Sequence, residues 1–392
     1  MTEPRRLPYG HQFVGAADIE AVGEALRHDW ITQGPRVADF ERAIAEYCGA
    51  PHAVAFSSGT AALHGACAAA GLGPGDEAIT SPLTFAATAN AVVYCGARPV
   101  FADIDASTLN IDPAEIARRL SPRTRAVLPV DFAGLPVDLD AIGRLARERG
   151  LVVIEDAAHA LGAEVQVKGA WERVGSAGAA DMVVFSFHPV KHITTGEGGM
   201  VLTRSADLAD RMRSFRHHGI RRDAALAERH GAWYYEIDQL GFNYRLTDFQ
   251  CALGLSQLRQ LTGFVARRTA IAERYRRELA GHGLGVQEWD ARRFKHAWHL
   301  FTIQLPLSQL RGTRRQIFDA LTARGVGVQV HYIPVYHHPF YQRLGHRTGE
   351  CPVTERYYAS ALTLPLYPGM TDDDVSRVID TVLAVLKEHR GA

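Results

Sequence analysis

The chain has 392 residues, with 43 Lys plus Arg against 43 Asp plus Glu and a formal net charge of zero. That balance excludes a broad basic surface for nucleic acid, and the length is more than one core usually fills. Five scattered cysteines without a CxxC spacing argue against a disulfide framework or zinc ribbon and fit a reducing cytoplasm. No N-terminal apolar segment and no run of 18 apolar residues occurs, so neither a signal peptide nor a membrane span is expected.

In chain order, "AADIEAVGEALRH" (16–28) spaces its apolar residues as a helix does. After the break at Gly34-Pro35 a second helix, "VADFERAIAEYCG", runs to Gly49. From residue 52 short apolar runs alternate with helical stretches. The runs are "HAVAFSS", "DEAITSP", "RPVFADI", "TRAVLPVDFAG", "LVVIEDAAHALG", "DMVVFSFHP" and "GGMVLTR". They are rich in β-branched and apolar residues with little alternation, the pattern of strands buried on both faces. Seven such strands predict a large α/β domain over residues 1–246 with a mostly parallel sheet. Thr247 with Gln250 three places later predicts a capping box. The helix it opens is expected to be long, continuing through "RRTAIAERYRRELAG". Strand-like "HLFTIQL", a helix "TRRQIFDALTARG", strand-like "VGVQVHYIP" and a last helix "DDDVSRVIDTVLAVLKEH" complete a small α+β domain over 247–392.

Four segments carry polar groups at or near strand ends, where an open α/β sheet binds its ligands. In "FSSGTAALHGA" (56–66) a strand turns into a helix, and the N–H groups of Thr60 and Ala61 suit a phosphate. The plainer alternative is an N-cap at Ser58 or Thr60. In "VVIEDAAHALGA" (152–163) Glu155 and Asp156 point to opposite sides of a strand. One is expected to face a cleft and the other solvent or a cation. In "FSFHPVKHITTGEGG" Lys191 follows a buried strand. Desolvation there lowers its pKa and frees the amine to attack a carbonyl; an exposed loop lysine is the plain alternative. In "LGFNYRLTDFQ" Asn243 and Arg245 precede the capped helix; a turn with a surface arginine is the plain reading. "GLGPGDEAI" precedes a strand and so is not a dinucleotide fingerprint. No GxxxxGK loop, HExxH or metal-like histidine spacing occurs, and no metal is expected.

A phosphate cradle, a strand-end acid and a strand-end lysine, in that order, suit pyridoxal phosphate. With "LPYG", "ITQGP", "SSGTAAL", "EDAAHALGA", "FSFHPVKHITTGEGGM", "GFNYRLTDFQCALGLSQL" and "QVHYIPVYHHPFY", nearly the whole chain resembles the DegT/DnrJ/EryC1/StrS sugar-nucleotide aminotransferases, fold-type I pyridoxal phosphate enzymes. The resemblance implies that Lys191 binds the cofactor as a Schiff base and then shuttles protons. It pairs Asp156 with the pyridine nitrogen, puts His159 near the phenolic oxygen and stacks Phe85 on the ring. Thr60, Ala61 and Ser186 would hold the phosphate, joined by Asn243 from the other subunit of a homodimer. Tyr9, the turn Asp29, Trp30, Ile31, Thr32 and Gln33, Arg245 from the partner, and His331, Tyr332, Ile333 and Pro334 would contact the sugar nucleotide.

Among subgroups the chain looks most like the UDP-4-keto-sugar 4-aminotransferases of pseudaminic acid biosynthesis. The implied substrate is UDP-2-acetamido-2,6-dideoxy-β-L-arabino-hexos-4-ulose, with L-glutamate as amino donor. A different UDP- or dTDP-4-keto sugar is the rival within the enzymes. A sugar dehydratase of this fold replaces the lysine with histidine, and a non-catalytic sugar-nucleotide-binding homologue would lose Lys191 or Asp156; this chain keeps both.

Overall fold

The computed structural model describes residues 6–176 and 178–390. The seven predicted strands all form: β1 (His52–Phe56), β2 (Glu77–Thr80), β3 (Arg98–Phe101), β4 (Thr124–Leu128), β5 (Val152–Asp156), β6 (Met182–Ser186) and β7 (Gly199–Thr203). They join one sheet in the order β1-β7-β6-β5-β4-β2-β3. Only β7 runs against the rest, between β1 and β6, while β6, β5, β4, β2 and β3 pair in parallel. The carboxyl ends of β1, β2, β4, β5 and β6 therefore share one edge.

The lack of alternation in the sequence has its reason in two cores. Ile154, Met182, Val184 and Val201 pack on one face, under the helices Gly59–Ala69, Ala87–Tyr94 and Ala206–Phe215. Val153, Val183, Phe185 and Leu202 pack on the other, with Phe40 and Ile44 of the helix Pro35–Cys48 and Ile142 and Ala146 of the helix Leu139–Arg149. Successive residues on a strand face opposite ways, so both kinds of position must be apolar.

Toward the C-terminus the antiparallel strands Gly285–Val286, Phe301–Gln304 and Ala361–Leu364 form a second sheet. Helices Leu261–Glu278, Arg314–Ala323 and Asp372–His389 pack with it around a separate core that also takes Leu7. Among the described residues no helix is long and apolar enough to cross a membrane.

Three expectations need correction or completion. The long helix after Thr247 is two helices, Asp248–Leu258 and Leu261–Glu278. No proline or glycine breaks it. Gln257 and Gln260 both donate to the buried Asp18 carboxylate, at 2.7 and 3.3 Å, while Leu261 drops into the core. The segment 326–334 is not a strand; it is extended chain with isolated bridges to Leu7 and Thr363. The hairpin Glu164–Val167/Ala170–Arg173, its first strand partly exposed and its second mostly exposed, pairs with Phe294–Lys295; it carries no apolar run, so the sequence does not predict it.

Candidate active site

A cavity of about 760 Å³ opens at the carboxyl edge of the sheet. It gathers Tyr9, Thr60, Phe85, Asp156, His159, Ser186, Lys191, His331, Tyr332 and Ile333 of the predicted residues. Asp156 closes β5, Ser186 closes β6, and Lys191 follows β6 by a short turn in which its N–H donates to the His188 carbonyl oxygen at 2.9 Å. Thr60 stands in the first turn of the helix Gly59–Ala69. Ser58 is the cap of that helix, its Oγ accepting the Ala61 N–H at 3.1 Å. The Ala61 N–H is thereby engaged.

The turn into this helix is tight. A Cβ on Gly59 would come within 2.9 Å of Ser186 Cβ, and one on Gly199 within 2.4 Å of the Ser58 carbonyl oxygen. Only glycine lets β6 and β7 approach the helix end so closely. The first N–H groups of a helix have no partner within it; here they lie beside the Thr60 and Ser186 hydroxyls. A phosphate fits that donor set.

Asp156 is buried and aimed. Its Oδ2 accepts from Thr88 Oγ1 at 2.6 Å and its Oδ1 from the Ala158 N–H at 3.2 Å. Burial raises its pKa, while Thr88, Ala158 and the Lys191 charge hold it back. Desolvation pulls the Lys191 amine down to about 8; Asp156 opposes that and Arg268 adds to it. Burial also pushes His159 well below its ordinary value, so the ring is neutral. Its Nε2 lies 3.2 Å from the Tyr332 hydroxyl, its ring lies 4.3 Å from that of His299, and its Nδ1 has no partner among the described residues. Phe85 is 62% exposed at the mouth, its ring 6.3 Å from that of Tyr332. Sequence reading missed Thr88 and His299. Thr88 lies on a helix 68 residues before Asp156, and no local pattern marks it.

The other predicted residues lie apart from Lys191. Gln33 and Arg245 face a second cavity of about 880 Å³, with Arg216, His217 and Arg222. Asp29, Trp30, Ile31, Thr32, Asn243 and Pro334 do not line the first cavity. The two outlying segments are stitched together. Thr32 bridges Thr247, the Asp248 N–H donates to the Ile31 carbonyl oxygen at 3.0 Å, and Asp248 accepts from the N–H groups of Gly34 and Arg36 at 2.8 and 3.0 Å. The predicted capping box is present, with the Thr247 N–H donating to Gln250 Oε1 at 3.2 Å.

Glu155 corrects another expectation. It meets neither solvent nor a cation; it is buried on the opposite face of β5, hydrogen-bonded to Asp131. Burial pushes Glu155 up to about 7, with the Asp131 hydrogen bond opposing. Asp131 rises too, from burial and the Glu155 charge. The folded pair keeps a proton that unfolded carboxyls release. Its stabilising contribution is full below the ordinary pKa of 4.5 and fades as pH rises to about 7. Thermal melts of Glu155→Gln should therefore fall less than those of wild type between about pH 4.5 and 7; parallel falls would refute the shared proton.

The signature of the DegT/DnrJ/EryC1/StrS aminotransferase family matches residues 13–383. The chain belongs to that family. It is 43% identical over 387 residues to the spore coat polysaccharide biosynthesis protein SpsC of Bacillus subtilis (strain 168), covering 97% of each chain. It resembles the solved structure of Helicobacter pylori PseC, an aminotransferase of pseudaminic acid biosynthesis, at 31% identity and a TM-score of 0.89, covering 98% of this chain and 100% of that one. The putative sugar aminotransferase Spr1654 of Streptococcus pneumoniae, in its PMP form, superposes with a TM-score of 0.91 at 28% identity, covering 97% and 99%. The protein is thus a sugar aminotransferase of fold type I, and pyridoxal phosphate is its cofactor. The residues present fit that group: a phosphate cradle at the Gly59 helix end, an acid at the end of β5 and an amine beyond β6.

Proposed function

We propose that this family member is a sugar-nucleotide 4-aminotransferase. It moves an amino group from L-glutamate to C4 of a UDP-4-keto-6-deoxy-N-acetylhexosamine, UDP-2-acetamido-2,6-dideoxy-β-L-arabino-hexos-4-ulose, as in pseudaminic acid biosynthesis. The observation that carries the reaction is the convergence of Lys191 and Asp156 in one cavity beside a phosphate cradle. The likeness to PseC supports the substrate. The free cysteines support work in a reducing cytoplasm.

Pyridoxal phosphate supplies the electron sink that amino-group transfer needs. Thr60 and Ser186 would hold its phosphate, and Phe85 would cover its ring. Asp156, oriented by Thr88, would keep a proton on the ring nitrogen. Lys191 Nζ, with a pKa of about 8, would hold the cofactor and take and return a proton near neutral pH. His159, neutral and with Nδ1 unpartnered among the described residues, would face the phenolic oxygen. Tyr9, His331, Tyr332 and Ile333 form the sugar side of the cavity.

Incubation with UDP- and dTDP-4-keto sugars plus glutamate, read by mass spectrometry, tests the substrate. Preferred amination of a dTDP sugar, or of a UDP sugar of another configuration, would refute it.

The site is composite in this reading. Asn243 and Arg245 reach the other protomer's cavity, and the Asp29–Gln33 turn, joined to the same loop, goes with them. The Thr247/Gln250 cap limits the ordering cost, and the fork of Arg245 suits a nucleotide phosphate. Lys191→Ala and Asn243→Ala/Arg245→Ala proteins are each expected to be inactive. Unfolded, mixed and refolded together, about half the dimers are mixed, each with one site free of both defects, so roughly a quarter of wild-type activity should return. Mixed dimers without activity would place the site within one chain.

A further inference from the structure

Arg268, on the helix Leu261–Glu278, has no exposed surface and, among the described residues, no carboxylate in ion-pair reach. Its Nη1 donates to the carbonyl oxygens of Leu366 at 2.9 Å and of Trp298 and His299 at 3.3 Å. Its Nη2 donates to the Val190 carbonyl oxygen at 3.4 Å, and among the described residues its Nε has no partner. A buried cation without a counter-ion is costly, and an apolar side chain would fill the position at less cost. The carbonyls it gathers are not scattered. Val190 immediately precedes Lys191, and His299 lines the same cavity.

We propose that Arg268 is a positioning residue for Lys191: its buried guanidinium ties the Val190 carbonyl to the main chain at Trp298, His299 and Leu366, fixing where the amine enters the cavity. The planar fork reaches several carbonyls at once, which an ammonium on a shorter reach cannot do. The charge acts as well. The groups facing Lys191 are Asp156 from β5, the imidazoles of His159, His192, His299 and His331, and Arg268. Burial holds those four imidazoles neutral. The two charges left oppose each other, Asp156 favouring the protonated amine and Arg268 the free one. Burial lowers Arg268 itself only to about 9, which leaves it charged at neutral pH.

The inference rests on Lys191 being the cofactor lysine, but its test needs no turnover. Full-length protein stripped of cofactor is labelled with acetic anhydride across a pH series, and acetylation of Lys191 is followed by mass spectrometry. Lys168, Lys295 and Lys387, all exposed, are internal references. Hydrogen exchange of the peptide 187–195 is measured in parallel. In Arg268→Met the Lys191 midpoint should move up from about 8, each unit slowing its labelling at pH 7 about tenfold, and exchange in 187–195 should rise. Arg268→Lys keeps the charge without the fork, so its midpoint should stay near wild type while exchange in 187–195 rises. Wild-type midpoint and exchange in both folded variants would overturn the proposal. If Arg268→Met fails to fold, Arg268→Lys decides alone: unchanged local exchange, exchange raised throughout the chain, or failure to fold would each assign Arg268 to the core at large. A borohydride-reduced cofactor found on another lysine would refute the reading of Lys191 itself, a separate outcome.

Discussion

Lys191→Ala protein should purify colourless and without measurable transamination, where wild type should be yellow from cofactor held at Lys191. The amine needs to be neutral to attack a carbonyl. A pKa of about 8 instead of the ordinary 10.5 makes the neutral form roughly 300-fold more abundant at pH 7. The chain's other lysines, Lys168, Lys295 and Lys387, are exposed and have no comparable surroundings. Borohydride treatment of wild type followed by peptide mapping should place the cofactor on Lys191. A label on Lys168 or Lys295 would sink the assignment.

Asp156→Asn should fold and bind cofactor but lose activity by on the order of a hundredfold or more, the scale of a lost electrostatic contact to the reacting group. An amide cannot hold a proton on the ring nitrogen. Nor can it reproduce a carboxylate that accepts from both Thr88 and Ala158. Glu155 cannot substitute, because it points to the other face of β5 toward Asp131. Melting temperature and kcat measured on the same preparation separate folding from chemistry. Wild-type turnover in the variant would move the role to another group.

Much of the fold was legible because its signals are local. A strand buried on both faces needs an unbroken apolar run whatever surrounds it, so all seven strands stood in the sequence with their starts close to those observed, though the runs around Thr124–Leu128 and Val152–Asp156 extend past the strand ends. The capping box was legible for the same reason: its two partners are three residues apart. Asp156 stood out as an acid closing such a run and Lys191 as the lysine just beyond one, and the family resemblance, not the residues alone, gave them their roles.

Contacts between distant segments belonged to the tertiary structure alone. Thr88 orients Asp156 across 68 residues, and Asp18 meets Gln257 across 239. The fate of Glu155 depended on Asp131 lying beside the end of β5, and the break at residues 259–260 on where Leu261 finds its core. The Asp29–Gln33 turn reads in sequence like a companion of Tyr9, yet the fold ties it to Thr247 and Asp248, away from Lys191. Sequence alone thus marked candidates for chemistry, because residue type and local burial set those. Which of them meet was decided by how the sheet, the N-terminal helices and the C-terminal core close on one another, since a hydrogen bond needs its two partners within about 3 Å and no spacing along the chain specifies that.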